Sequence, residues 1–174
     1  MPVLNIEFKA TTNKLAELEA VLQHCNPLFV GEDHQVDTYF NVPYGRLKLR
    51  EGNIENALIH YERLNIAGSK SSQVLLYQHQ PGSALKEILV NSLGVKTVVD
   101  KKRRIYFVDN VKFHFDTVKD LGSFVEVEAI DKEESIGEKI LKGQCDQYAN
   151  FFNIAEADFV ALSYSDLLLK KSGV

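Results

Sequence analysis

The sequence predicts an α+β domain built on a meandering antiparallel sheet with flanking helices, and three observations carry that expectation. Several segments alternate apolar and polar residues with period two. Short turns bearing Gly, Pro and Asn join them. Other stretches repeat their apolar residues at helical spacing.

A first strand spans 3–9, with Asn5, Glu7 and Lys9 on one face and Leu4, Ile6 and Phe8 on the other. Thr12 or Asn13 is placed to cap a helix whose Leu15, Leu18 and Leu22 form one stripe up to about His24. Strands are expected at 35–42, 46–51, 57–65 and 72–80, punctuated by Pro43-Tyr-Gly45, Gly52-Asn53 and Gly68-Ser69. Ser69-Lys-Ser-Ser72 reads as a polar turn, with a substrate-contacting loop as the alternative. Pro81-Gly82 closes that run, and 84–93 reads as a helix ending at Gly94. Two longer strands, 96–107 and 111–118, meet at the Asp109-Asn110 turn, and a further strand covers 124–130. Residues 132–152 read as a helix with Ile136, Ile140, Leu141, Tyr148 and Phe152 as its core stripe, and a short helix at 163–170 ends the chain. No internal repeat, low-complexity tract or long linker interrupts the pattern, so one domain is expected over 1–174.

Net charge narrows the function classes. At −4 over 174 residues the chain lacks the basic surplus of a nucleic-acid-coating protein, so any basic site must be local and made by the fold. Two cysteines, Cys25 and Cys145, do not make a disulfide framework; each reads as a small buried hydrophobe. The N-terminus enters a charged strand directly, without an apolar signal region, and no apolar run reaches membrane-spanning length. A reducing, cytoplasmic setting without nucleic-acid or membrane partners is expected. Lys101-Lys-Arg-Arg104 sits inside a strand, where half of it points each way, which argues against a localisation signal. The five histidines form no close pair at metal spacing, and His114 reads as structural.

The polar faces of the strands are unusually rich in long charged side chains. Arg46, Lys48 and Arg50 share one face; Lys112, His114 and Asp116 share another; Glu126 and Glu128 oppose Val125, Val127 and Ala129. Either the sheet has one solvated face, where such charges block edge pairing, or it closes into a barrel with the charges inside. Alternation supplies the period and not the direction, so both remain open at this level. In the second case Glu7, Asp116, Glu126 and Glu128 would supply hard oxygen ligands for Mg²⁺ or Mn²⁺, and Lys9, Lys48, Arg50, Arg63, Lys101 and Arg103 donors for a polyanion. Acids for the metal and bases for phosphate oxygens suit a metal–triphosphate complex.

The segments Asn5-Ile-Glu-Phe-Lys-Ala, Asp37-Thr-Tyr-Phe, Gly45-Arg-Leu-Lys-Leu-Arg-Glu, Tyr61-Glu-Arg63, Lys101-Lys-Arg-Arg-Ile-Tyr106 and Phe115-Asp-Thr-Val…Leu-Gly-Ser-Phe-Val-Glu-Val-Glu128 occur in that order. Together they resemble the CYTH family of class IV adenylyl cyclases, thiamine triphosphatases and inorganic triphosphatases, with the cyclase branch most similar. The resemblance implies a closed antiparallel barrel of about eight strands forming a tunnel. It implies Glu7, Asp116, Glu126 and Glu128 as metal ligands, and Lys9, Lys48, Arg50, Arg63, Lys101 and Arg103 as triphosphate contacts. A nucleotide or inorganic triphosphate substrate, Mg²⁺ or Mn²⁺ as cofactor and a possible homodimer follow from it too.

Two positions depart from the family pattern. The N-terminal Glu-x-Glu-x-Lys hallmark reads Asn5-x-Glu7-x-Lys9, replacing one carboxylate by an amide that still offers a carbonyl oxygen but no charge. Weaker metal binding, or one metal where a relative holds two, is the expectation. Arg63 stands where many relatives place a lysine. Family triphosphatases can activate water with a tyrosine of the Asp-Thr-Tyr segment, here Tyr39, beside that lysine; an arginine stays protonated and makes a poor base. Lys9, Tyr39 and Arg63 are thus the catalytic candidates. Adenylyl cyclase is the leading expectation, with a triphosphatase and a non-catalytic polyphosphate- or nucleotide-binding module as alternatives.

Overall fold

The structure, a computed structural model, describes the backbone of residues 3–63 and 70–173, and their side chains except at 63, 70 and 71. Among the described residues eight strands close into an antiparallel barrel in the order β1-β5-β4-β3-β2-β6-β7-β8. These are β1 (Val3–Thr11), β2 (Leu28–Phe40), β3 (Arg46–Glu51), β4 (Ala57–Arg63), β5 (Lys70–Gln78), β6 (Val95–Val108), β7 (Val111–Val118) and β8 (Gly122–Asp131). Closure comes from β1, which pairs with β8 from Leu4↔Asp131 to Thr11↔Phe124 and with β5 from Val3↔Val74 to Glu7↔Lys70. Every strand then has two neighbours along part of its length, which closes the barrel.

The helices decide which way the faces point. Helices α1 (Leu15–Leu22) and α3 (Glu138–Phe151) lie against the outer side of β1, β7 and β8. Ile6, Phe8, Phe113, Phe115, Val125 and Val127 pack there against Leu18, Leu22, Leu141, Cys145 and Phe152. Burying each large apolar side chain contributes about 1.5–3 kcal/mol, far more than any exposed charge pair offers. On β1, β7 and β8 the apolar faces therefore turn outward under helices, and the alternating charges turn into the lumen. Helix α4 (Tyr164–Lys171), started by a capping box between Ser163 and Asp166, stoppers one end of the barrel. Its Tyr164 enters an apolar plug with Tyr39, Val99, Val118 and Phe124. The preceding segment crosses the end of β1, where Val160 N–H donates to the Lys9 carbonyl at 2.8 Å.

Several boundaries differ from the sequence-based expectation. β2 begins at Leu28 rather than at 35, because the long β6 supplies a partner back to Leu28↔Phe107. The expected helix over 132–152 starts only at Glu138. Upstream of it, the Asp131 carboxylate accepts from the backbone N–H groups of Ser135, Ile136 and Gly137 at 3.0, 2.9 and 2.9 Å, holding a loop, and Gly137 takes φ 90°. Ile140 is 57% exposed; the α3 residues in the core are Leu141, Cys145 and Tyr148, with Phe152 just beyond the helix. Thr12 accepts from Lys14 N–H at 3.0 Å, but no side chain caps α1 itself. The expected turn at 69–72 is mostly strand, since β5 begins at Lys70; its first residue, Ser69, lies outside the described residues. Helix α2 (Leu85–Leu93) ends at Gly94 as expected. Cys145 is buried and Cys25 half-buried, both as free thiols.

Candidate functional site

Strand register builds the lumen row by row. Lys9 pairs across β1–β8 with Glu126, which pairs across β7–β8 with His114; one row on, Glu7 and Lys112 flank Glu128. Asp37 faces Arg50 across β2–β3, Tyr39 faces Lys48, and Arg103 faces Asp116 across β6–β7. Because alternate residues share a face, one inward residue on each strand commits the rest. The resulting cavity, about 180 Å³, is lined by Asn5, Glu7, Lys9, Tyr39, Lys48, Arg50, Lys101, Arg103, Glu126 and Glu128 among others. The structure thus brings together the sequence-predicted site residues, with two exceptions. Asp116 does not line the cavity, and the side chain of Arg63 lies outside the described residues, although its backbone pairs with Ser72.

The basic half of the lumen is organised by an acid that sequence reasoning missed. Asp37 is 1% exposed and accepts two bonds from Arg50, at 2.9 and 2.8 Å, and one from Lys101 at 2.8 Å; Lys48 stands 3.2 Å away. Burial opposes its charge, yet the three cations hold its carboxyl well below the usual range. Burial, with the neighbouring Arg50, Arg103 and Lys48, pushes the Lys101 ammonium down to about 7 despite Asp37. Three cations share one carboxylate here, so an incoming polyanion would relieve their mutual repulsion. Tyr39 accepts from Lys48 at 3.4 Å, and burial followed by Tyr61 and Asp37 raises its hydroxyl well above the ordinary value, so it stays protonated.

The acidic half is set by β1 and β8. Glu126 takes Lys9 at 3.5 Å, Arg103 at 3.4 Å and His114 Nδ1 at 3.4 Å, and against the cost of burial these hold it well below the ordinary carboxylate range. Glu128 behaves oppositely. Burial, together with Glu7 and Glu126 and only partly offset by Lys112, pushes it up to about 7. Asn5 donates to Glu128 at 2.5 Å while its own carbonyl oxygen is buried without a hydrogen-bond partner. A crowded carboxylate beside an orphaned amide oxygen fits a hard divalent cation, and Glu7, Glu126, Glu128 and the Asn5 carbonyl are the groups that would hold it. Among the described residues, no three acidic, His or Cys groups yet converge as a closed cage.

Asp116 is committed elsewhere. Arg103 grips it at 2.7 and 2.6 Å, and the Tyr164 hydroxyl donates to it at 2.6 Å. As placed, it aims Arg103 into the lumen. His114 is 3% exposed, and burial followed by Arg103 pushes its imidazole down to about 4, so it is neutral near pH 7. Sequence reasoning also missed Glu55, Lys112 and Tyr164. Lys112 shares the alternation of His114 and could have been found by it. Glu55 and Tyr164 lie in a turn and at a helix start, where no period betrays direction.

Residues 4–152 match the profile of the CYTH domain family. The chain belongs to the CYTH domain family. Typical CYTH proteins are metal-dependent enzymes acting on triphosphates. Among solved structures, the PH1012 protein of Pyrococcus horikoshii resembles this CYTH chain with a TM-score of 0.77 at 25% identity, over 94% of this chain and 98% of its own. A candidate adenylate cyclase from Vibrio parahaemolyticus gives 0.73 at 19% identity, over 95% and 97%. A candidate adenylyl cyclase from Hippeastrum, described as having a dominant triphosphatase activity, gives 0.62 at 14% identity, over 99% and 96%. At those two identities the likeness concerns the fold alone. No curated protein sequence matches the chain significantly. The CYTH match stops at 152, so α4 and its stopper lie outside it. No described helix is long and apolar enough to cross a membrane.

Proposed function

We propose that this CYTH protein is a Mg²⁺- or Mn²⁺-dependent enzyme that holds ATP by its phosphates and converts it to cyclic AMP and pyrophosphate. The observation that carries the reading is the gradient along the lumen. The buried bases Lys9, Lys101 and Arg103 stand toward the end stoppered by α4, at 6%, 2% and 3% exposure. Glu7 and Glu128 are half-buried, one row nearer the opposite end. A triphosphate entering with its terminal phosphate first meets the cations with its β- and γ-phosphates, and leaves its α-phosphate beside the acids. Bases placed there neutralise a leaving pyrophosphate, the charge that grows in the transition state.

In this reading the ribose 3′-oxygen attacks the α-phosphorus in line. The new O3′–P bond replaces the bond from that phosphorus to the bridging oxygen, pyrophosphate departs, and the hydroxyl proton is released at the open end. Lys9, Lys48, Arg50, Lys101 and Arg103 bind and orient the phosphates, with Arg63 proposed at the same task from its strand position. Asp116 and Asp37 keep Arg103 and Arg50 aimed. The divalent ion, when bound by Glu7, Glu126, Glu128 and Asn5, supplies charge stabilisation at the reacting oxygens.

Hydrolysis of a triphosphate is the second reading, and one contact favours it: Lys48 Nζ lies 3.4 Å from the Tyr39 hydroxyl, a lysine beside the tyrosine that triphosphatases of the family employ. The raised pKa of Tyr39 counts against it as a base. The test is incubation with Mg²⁺ or Mn²⁺ and, separately, ATP or inorganic triphosphate, with products identified by mass spectrometry. Cyclic AMP with pyrophosphate supports the cyclase. Orthophosphate from inorganic triphosphate without a cyclic product replaces it with the triphosphatase, and triphosphate binding without turnover replaces both with a binding module.

A further inference from the structure

The open end of the lumen differs in chemistry from its depth. Along the inward face of β5, Ser72 is 8% exposed, Val74 half-buried and Leu76 57% exposed, so the cavity opens to solvent beside Leu76. Ile59 faces Leu76 across β4–β5, and Tyr61 faces Val74. Among the described residues, Ile59, Val74 and Leu76 form the aliphatic part of a cavity lining that is otherwise charged, polar or aromatic, and no phosphate would be drawn to that shelf.

The turn between β3 and β4 brings a fixed negative charge to the same cavity. The Glu55 carboxylate meets Lys112 at 2.6 Å and Arg50 at 3.4 Å, and accepts from Gln35 at 2.9 Å. Its turn is pinned from below by fully buried Asp33, which accepts from the N–H groups of Ile54 and Glu55, both at 2.9 Å, and from Gln35 at 2.8 Å. Asn56 closes the same turn onto Gly52 through its amide, at 3.1 and 2.9 Å. A side chain at Gly52 would bring its Cβ within 2.6 Å of Asp33 Oδ1, so the turn is folded tightly around that carboxylate. Glu55 thereby occupies Lys112, the cation nearest the opening, and repels any further phosphate there.

We infer that this mouth selects the end of the substrate: Ile59, Val74 and Leu76 receive the organic group of a triphosphate monoester, and Glu55 turns away longer inorganic polyphosphates. The inference rests on the triphosphate reading above, but not on which phosphorus is attacked. Leu76 and Glu55 are specificity determinants at the mouth; Leu76 stands apart from the residues that grip the phosphates, and Glu55 borders them through Arg50.

Calorimetric titration of the full chain with ATP, inorganic triphosphate and inorganic tetraphosphate, in EDTA and again in Mg²⁺, tests it. Leu76→Ser, at an exposed position that tolerates the change, is expected to weaken ATP about five-fold while leaving inorganic triphosphate within about two-fold, from the loss of one partly covered aliphatic side chain. Glu55→Gln is expected to raise the affinity for tetraphosphate relative to triphosphate by about five-fold or more. Equal losses of ATP and inorganic triphosphate in Leu76→Ser, or no loss of either, would overturn the shelf. An unchanged tetraphosphate-to-triphosphate ratio in Glu55→Gln would overturn the gate. If no triphosphate binds the unaltered protein in either condition, the triphosphate reading itself falls and this inference with it.

Discussion

Replacing Glu128 by Gln is expected to make the metal-free protein more stable, although the residue belongs to the proposed active centre. Its carboxyl is pushed up from 4.5 to about 7 because burial, Glu7 and Glu126 together outweigh Lys112. A folded-state pKa above the unfolded value means that ionisation costs stability. That cost is absent below about pH 4.5 and complete above about pH 7. At about 1.4 kcal/mol per pH unit the ceiling is about 3 kcal/mol, and relaxation and partial hydration reduce it to about 1–2 kcal/mol. Gln keeps a carbonyl to accept from Asn5 Nδ2, so the packing contact survives. For a chain of this size the gain corresponds to about 2–8 °C in Tm at pH 8, against about a quarter of that at pH 5. Thermal unfolding of both proteins in EDTA at the two pH values measures it. Parallel pH dependence in the two would refute the crowded-carboxylate account. Adding Mn²⁺ should then raise the Tm of the unaltered protein more than that of the variant, because only the former regains charge compensation at that site.

Asp37→Asn should destabilise the protein by about 3–5 kcal/mol in urea unfolding, since it leaves Arg50, Lys101 and Lys48 without their shared counter-charge. Inorganic triphosphate should then protect the variant more than the unaltered protein. Because Lys101 titrates at about 7, a bound polyanion should raise its pKa; calorimetry in buffers of different ionisation heat should show proton uptake at pH 7.5, and affinity should fall from pH 6 to pH 8. Arg50→Ala should weaken triphosphate binding at least ten-fold and monophosphate binding far less, with equal losses marking Arg50 as a structural partner of Asp37 only. Glu126→Gln should abolish most metal-dependent turnover while circular dichroism stays unchanged; near-normal turnover would remove Glu126 from the metal site.

Much of the barrel was legible because a strand's period is readable wherever its two faces differ in polarity. Lys48 with Arg50, Glu126 with Glu128 and Lys101 with Arg103 stand together in the lumen, as their shared faces require. The run 101–104 shows the same rule at work: Lys101 and Arg103 line the cavity, while Arg104 turns outward to meet Glu19 at 2.5 Å. Where the period fails, so does the reading. The first part of β2, Leu28-Phe29-Val30-Gly31, does not alternate and became strand only because β6 extends alongside it. The loop before α3 was hidden because Asp131, two residues before the acidic pair Glu133-Glu134, gives no local hint that it will gather three backbone N–H groups.

Local order in this chain determined the strands, the partition of each into an apolar and an ionic face, the departure at Asn5 and, through the order of its motifs, the family. It could not determine which face was the interior, because a period of two is unchanged when every side chain is turned over. Tertiary structure decided that, when α1 and α3 found more apolar area to cover on the outside than the lumen could have enclosed. It also decided the pairing of charges. Asp37 collects cations from β3 and β6, Asp116 is diverted to Arg103 and Tyr164, and Glu55 is swung into the mouth by Asp33. Those partners lie far apart along the chain, and electrostatic energy depends on distance in space.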